Sequence, residues 1–369
     1  MSRFKKILKI ALFDILGYVL AMGTFLAIFY LVPYELESEG TVVGNGDNMP
    51  HFQLPGLNIG NGNKEEPTTE DESGIKFEGG VDSDINSNNS GKGDKFNGTS
   101  GGKYDHIGTN QIESDKSAAD KMTNAEAVVT QIAEHSTDNV YFTIEKNEVG
   151  SGKDKVTYYV ADVYVSSLEY FRTALARNKY GTNIKDDVDD IAGDNNGILA
   201  ITGDSYGNNS TGIVVRNGML YRDDENDADV CLLFTDGTMK TYTADEFDEE
   251  SVKENNVWQA WCFGPSLLDG NGNILDYFTT SSYLSKAHPR VAIGYVAPGH
   301  YVLCVVDGRD EGYSRGASLS ELAAIMKKEG CLTAYNLDGG GSSTMYYDGS
   351  YINQSTGREI SDIIYIPLG

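Results

Sequence analysis

The chain has 369 residues, and 55 Asp and Glu against 29 Lys and Arg give a formal net charge of -26. Phosphate-backbone binding needs clustered cations, so this balance excludes nucleic acid as a partner. With 40% hydrophobic residues and 42 glycines, the chain holds enough apolar side chains for a sizeable core beside a polar, Gly/Asn/Asp-rich remainder, and its length allows one or two domains.

Arg3, Lys5, Lys6 and Lys9 precede an apolar run from Ile10 to Val32 that only Asp14 interrupts. The run is long enough to cross a bilayer and longer than the apolar core of a cleavable signal peptide. Basic residues before it and Glu35, Glu37 and Glu39 after it predict a transmembrane signal anchor over 10–32, with a cytoplasmic tail at 1–9 and everything later outside. The expected location is therefore the cell membrane, single-pass, with the C-terminal domain extracellular on a bacterial surface. From 33 to 121 the sequence is dominated by Gly, Asn, Asp, Ser, Glu and Lys without a sustained period. Such a stretch buries too little apolar surface to offset its ordering entropy and reads as a disordered extracellular linker.

The ordered domain is expected over 122–369. Helical spacing covers Ala125–Glu134, strand patterns cover Val140–Glu145 and Val156–Val165 with a Gly150/Gly152 loop between them, and Leu168–Ala176 has helical composition. Ile198–Thr202 is a short apolar strand that runs into Gly203 and Asp204. An acid just beyond a buried strand is well placed for chemistry, because the scaffold fixes it while its head faces a cleft. Thr211–Val215 and Leu220–Tyr221 form a hairpin with Arg216, Asn217 and Gly218 in the turn, and Val230–Phe234 and Met239–Tyr242 form another around Asp236-Gly237. A helix is expected over Ala244–Ala260, then strands at Val291–Val296 and at Tyr301–Val306, the latter ending in Asp307, Gly308 and Arg309. A helix over Ser320–Glu329, capped by Ser318 or Ser320, and a last strand at Ile363–Ile366 complete the pattern. Many strands, Gly-rich turns and few long helices predict an α+β fold, a mixed sheet domain with flanking helices, preceded by the transmembrane helix and the flexible linker.

Tyr335–Gly349 reads Y-N-L-D-G-G-G-S-S-T-M-Y-Y-D-G. Three consecutive glycines carry a large entropic cost, and beside an acid and three hydroxyls they point to backbone amides held close to a ligand, with a plain hairpin loop as the alternative. The Lys that a nucleotide-binding P-loop requires is absent, and Ser342 stands in its place. The four cysteines, Cys231, Cys262, Cys304 and Cys331, are widely spaced and have no His nearby to complete a zinc set; they read as buried thiols, with disulfides as the alternative. No metal site is assigned, and the sequence names no cofactor.

The run N-L-D-G-G-G-S-S-T-M from Asn336 to Met345 resembles the signature of the phosphodiester glycosidase family. The resemblance extends to Ala161-Asp162-Val163, Gly203-Asp204, Phe263-Gly264-Pro265, Pro289-Arg290, Asp307-Gly308-Arg309, Glu321-Leu322-Ala323 and Arg358. Thr202 departs from the family pattern, which has Asn there. The resemblance implies an extracellular hydrolase that cleaves the glycosidic bond of a sugar-1-phosphodiester, free or on an anionic cell-surface glycopolymer such as an exopolysaccharide. It implies Asp338, Asp204 and Asp307 as catalytic carboxylates, since cleavage at the anomeric carbon develops oxocarbenium character. Arg290 and Arg309 are implied as phosphate clamps, Gly340, Gly341, Ser342 and Ser343 as further donors, and Asn336, Thr202 and Arg358 as substrate-binding residues. The alternatives are a non-catalytic surface glycan-binding module and a transferase or trimming factor that uses a sugar hydroxyl in place of water.

Overall fold

The computed structural model describes residues 15, 17–24, 32–36, 40–46, 49–55, 110–248, 252–253 and 256–368. Alternation of side chains along Val156–Val165 organises the interior. Tyr159, Ala161, Val163 and Val165 enter one core cluster while Val156, Tyr158 and Val160 enter another on the opposite face, as a strand buried on both sides requires. This strand lies inside a six-stranded sheet ordered Thr333–Leu337, Arg290–Ala297, His300–Val306, Val156–Val165, Val140–Val149, Ala127–Ser136. Its outer face is covered by the helices Lys116–Asn124 and Leu319–Lys328.

The inner face packs on two further sheets. One is five-stranded, in the order Ser350–Tyr351, Met345–Tyr347, Gly197–Thr202, Asp362–Pro367, Arg172–Leu175; the other is six-stranded and contains Val230–Phe234, Val257–Trp261 and Gly212–Arg216 as consecutive neighbours. Leu199, Ile201, Ile364, Leu233 and Trp261 bring these sheets into the same cluster as Phe142, Ile293 and Leu303. The short helix Val188–Asp194 covers the outer face of the five-stranded sheet through Val188, Ile191 and Ala192. The α+β domain with flanking helices expected from the sequence therefore forms, and both predicted hairpins pair in antiparallel register.

Three helical readings are corrected. Ala127–Ser136 is an edge strand paired along Val140–Val149, because consecutive Val128, Val129 and Thr130 lose side-chain freedom in a helix and suit a pleated surface. Leu168–Ala176 is a 3-10 turn at Leu168–Tyr170, the strand Arg172–Leu175 and the first residue of a second 3-10 turn, Ala176–Asn178. The expected helix at Ala244–Ala260 gives way to the central strand Val257–Trp261, with helical backbone only at 252–253 among its described residues.

The membrane anchor is corrected as well. Among the described residues no helix is long and apolar enough to cross a membrane. The helical stretch 17–24 rises about 12 Å, against the ~30 Å of a hydrocarbon core, and the remainder of 10–32, apart from residues 15 and 32, lies outside the described residues. The single-pass topology, the membrane as a partner and the extracellular placement that depended on it are thus unsupported. Of the expected linker over 33–121, residues 37–39, 47–48 and 56–109 also lie outside the described residues. Nearer the N-terminus, Tyr34–Glu35 pairs with Gly181–Thr182 and Thr41–Val42 pairs with Met219–Leu220.

All four cysteines are buried and unpaired. The Leu319–Lys328 helix starts on a capping box: the Glu321 amide donates to Ser318 Oγ at 3.2 Å and the Ser318 amide to Glu321 Oε2 at 2.9 Å. Arg315 Nη1 and Nη2 hold the same carboxylate at 3.0 and 2.5 Å. Burial alone would raise the Glu321 pKa, but the Arg315 bonds and the Ser318 amide hold it below the usual value. Ser318→Ala is expected to cost about 1 kcal/mol, read as a lower urea midpoint at unchanged slope. An unchanged midpoint would mean that packing alone fixes this helix end.

Candidate active site

Asp338 follows the buried strand Thr333–Leu337, and its amide donates to Gly203 O at 3.1 Å. That bond joins the two strand ends singled out in the sequence. Gly203 in turn donates to Asp362 O at 3.0 Å, and a Cβ at position 203 would lie 2.8 Å from Asp362 Oδ1. Glycine is needed there for close approach.

Asp204 is buried and belongs to an ionic cluster that no local sequence pattern displays. Its Oδ2 accepts from the Cys262 amide at 2.9 Å and stands 3.7 Å from Arg216 Nη2. Arg216 Nε donates to Asp362 Oδ2 at 2.7 Å, and Arg216 Nη1 donates to the carbonyls of Val215 and Ala260. All three side chains are almost fully buried. Desolvation pushes the Asp362 carboxyl above the ordinary carboxylate range; Arg216 pulls it back and the Asp204 charge adds to the rise. Asp204 Oδ1, Asp362 Oδ1 and Arg216 Nη2 are buried without hydrogen-bond partners, as are Asn336 Oδ1 and Ser343 Oγ. Unsatisfied buried polar atoms are costly and infrequent in native structures, and here they come from residues at the ends of neighbouring strands.

Asp338 is partly exposed. Desolvation raises its carboxyl to about 6, with the Asp204 charge adding, while Ser342, Arg358 and Lys185 oppose the rise. A carboxyl poised there changes protonation near neutral pH, which is what general base or acid work requires.

Part of the amide cradle expected of the glycine turn is bonded within the protein. Gly340 N donates to Pro289 O at 2.9 Å, Ser342 N to Gly339 O at 3.1 Å and Ser343 N to Gly340 O at 3.3 Å, so these three amides are committed within the protein. What the glycines provide is room. A Cβ at Gly339 would lie 2.9 Å from Pro289 O, one at Gly340 3.2 Å from Arg309 Nη2, and one at Gly341 3.3 Å from Arg358 Cδ. Both exposed arginines thus lie against the turn that follows Asp338.

Other predicted residues have structural bonds. Thr202 Oγ1 donates to Ser342 O, which ties the loop to the end of the Gly197–Thr202 strand. Asn336 Nδ2 donates to Gly264 O at 2.7 Å. Asp307 accepts four bonds, from Asn353 Nδ2 at 2.8 Å, from Tyr313 Oη at 2.9 Å and from Gln354 N at 3.1 Å to each oxygen. Those partners occupy both of its oxygens and fix the 353–354 segment. Arg290 is buried and donates through Nε to Ala317 O at 3.0 Å and through Nη2 to the carbonyls of Leu284 and Lys286. Desolvation, with the nearby Arg309 charge, lowers its pKa to about 10 despite the opposing Glu321. Arg290 is bonded to the backbone of Leu284, Lys286 and Ala317, whereas Arg309 and Arg358 lie against the glycine turn. Among the described residues no group of His, Cys, Asp and Glu has the arrangement of a metal centre.

Sequence reasoning missed Arg216, placed in a hairpin turn, and Asp362, passed over at the start of the last strand. The available signal was a charge at the end of each apolar run, I-V-V-R and D-I-I-Y-I.

The raised Asp338 pKa has a thermodynamic sign. The unfolded carboxyl ionises near pH 4 and the folded one near 6, so the contribution of this group is fully present below about pH 4 and is lost as pH rises through 6. Asp338→Asn is therefore expected to melt progressively higher than the parent from pH 4 to 6, with a constant difference above. A difference independent of pH would refute the shift.

Residues 191–367 match the family model described as phosphodiester glycosidase. The chain is 28% identical over 254 residues to the SPbeta prophage-derived uncharacterized protein YomE of Bacillus subtilis (strain 168), covering 63% of this chain and 39% of that protein. It is 39% identical over 128 residues to the N-acetylglucosamine-1-phosphodiester alpha-N-acetylglucosaminidase of Homo sapiens, covering 31% of this chain and 24% of the human enzyme. Among solved structures, the catalytic domain of the zebrafish N-acetylglucosamine-1-phosphodiester alpha-N-acetylglucosaminidase, auto-inhibited by its pro-peptide, has a similar fold. Its TM-score is 0.53 at 19% identity, over 72% of this chain and 96% of that one. The chain spans 39% and 24% of the lengths of the two curated relatives. By homology and by fold it resembles the phosphodiester glycosidases, and the matched segment contains Asp204, Arg216, Arg309, Asp338, Arg358 and Asp362.

Proposed function

We propose that this chain hydrolyses the glycosidic bond of a sugar-1-phosphodiester. The observation that carries the reading is the packing of Arg309 and Arg358 against the Gly340-Gly341 turn, next to an Asp338 carboxyl raised to about 6. A phosphodiester bears one negative charge and two free oxygens, which match guanidinium donors. The reaction breaks the bond between the anomeric carbon and the bridging oxygen. The electron pair leaves with the phosphate, and a water oxygen forms the new bond to carbon. Because the departing phosphomonoester is a competent leaving group, the arginines supply charge stabilisation and no strong general acid is needed.

Asp338, when ionised, takes the proton of the attacking water and faces the oxocarbenium-like carbon. Its raised pKa makes it a better base than an ordinary carboxylate. Asp204, with Arg216 and Asp362, forms the buried polar floor beneath Asp338. Asp307, Arg290 and Thr202 act by holding loops, consistent with their occupied bonds. The homology over 191–367 supports the same class of reaction.

Incubating the full chain with an α-linked N-acetylglucosamine-1-phosphodiester should release the free sugar and a phosphomonoester. Asp338→Asn is expected to lower kcat by about 10³-fold, within the range for loss of a general base, and Arg309→Ala and Arg358→Ala to lower kcat/KM by about 10²-fold. Because the base must be ionised, kcat/KM should fall as pH drops below 6. Absence of sugar release across a panel of sugar phosphodiesters, or full activity in Asp338→Asn, would sink the proposal.

A further inference from the structure

The segment 352–359 carries Arg358 to the glycine turn and has neither helix nor strand of its own, so its course depends on side-chain bonds. Asn353 supplies three of them from one buried amide. Its Oδ1 accepts from the Met345 amide at 2.7 Å, and its Nδ2 donates to Ser343 O at 3.1 Å and to Asp307 Oδ1 at 2.8 Å. Both N–H donors of that amide are thereby used. Asp307 completes the hold by accepting from the Gln354 amide at 3.1 Å on each oxygen.

Two further bonds run along the same path. Ser355 Oγ and Thr344 Oγ1 share a hydrogen bond at 2.6 Å, and Thr356 Oγ1 donates to Gly341 O at 2.7 Å. Residues 353–356 therefore engage Gly341, Ser343, Thr344 and Met345 in turn. Gly341 is also the residue against which Arg358 lies, since a Cβ there would be 3.3 Å from Arg358 Cδ and 3.6 Å from Thr356 Oγ1. Arg358 is exposed. A long exposed side chain has many rotamers open to it, so the backbone that carries it sets where the guanidinium can reach.

We infer that Asn353 and Thr356 are positioning residues that hold Arg358 against the glycine turn. The catalytic meaning of this clamp rests on the hydrolase reading, whereas its geometry does not. Its effect reaches the Asp338 carboxyl. Desolvation raises that carboxyl and the Asp204 charge adds to the rise, while Ser342, Arg358 and Lys185 oppose it. An Arg358 released from the turn opposes the rise less, and the carboxyl then titrates at higher pH. Loss of a merely structural bond would lower the melting temperature and leave this titration in place.

The full chain with carbon-13 in its aspartate carboxyls reports the titration by NMR, the Asp338 resonance being identified by its absence from Asp338→Asn. Asn353→Ala and Thr356→Val should each move the midpoint up by about half a pH unit, in the direction of Arg358→Ala. Neither should move it further in the Arg358→Ala background, because all three act through one side chain. The acid limb of kcat/KM for a sugar phosphodiester should rise by the same amount. Thr356 is exposed and valine keeps its shape, so Thr356→Val decides the matter if Asn353→Ala fails to fold. A midpoint that both variants leave in place overturns the inference, and so does a shift that persists in full in the Arg358→Ala background. The titration is read without substrate, so an inactive parent counts against the hydrolase reading and not against the clamp.

Discussion

Arg216 is the charge on which the interior depends. It projects from the end of the strand Gly212–Arg216 in one sheet to Asp362 at the start of the last strand in another, and stands beside Asp204 at the end of the strand Gly197–Thr202. Guanidinium and carboxylates lose nearly all contact with water. Their desolvation is tolerable only while all three stay together, and removing one partner of such a cluster typically costs about 3–5 kcal/mol. The cluster is therefore a condition on sheet placement: the two sheets meet where one cation can serve both acids. Main-chain bonds from Asp338 to Gly203 and from Gly203 to Asp362 carry that placement to the loop bearing Asp338.

The glycine turn is the second constraint. The amides of Gly340, Ser342 and Ser343 serve the protein's own backbone, and the turn's lack of side chains lets Pro289, Arg309 and Arg358 approach. Charge and space are thus arranged by separate means. Buried carboxylates and Arg216 form one cluster, a bare turn lies against two exposed guanidinium groups, and Asp338 stands between the two arrangements.

Much of this was legible in the chain. Acids at strand ends, the triple glycine and both hairpin turns are short-range patterns whose consequences follow from a few neighbouring residues. The capped helix at Leu319–Lys328 was equally plain, because Ser318 and Glu321 stand three residues apart. The cluster was not legible, since Arg216 and Asp362 are 146 residues apart and acquire meaning only when two sheets pack. The same limit explains the misread segments. Ala127–Ser136 and Val257–Trp261 carry apolar spacing that fits a helix locally, and pairing with distant strands decides for the extended form. Asp307 and Arg290 show the converse. Both residue types promise chemistry, and their bonds are taken up by surrounding loops.

The close packing of arginines on glycines also bears on how such a sequence can diverge. A Cβ at Gly341 would crowd Arg358 at 3.3 Å, so a side chain there asks Arg358 to shift. Gly340 is constrained by its backbone as well as by Arg309, because its φ of +63° disfavours any L side chain. Among related chains Gly341 should then vary together with Arg358, whereas Gly340 should persist even where Arg309 is replaced.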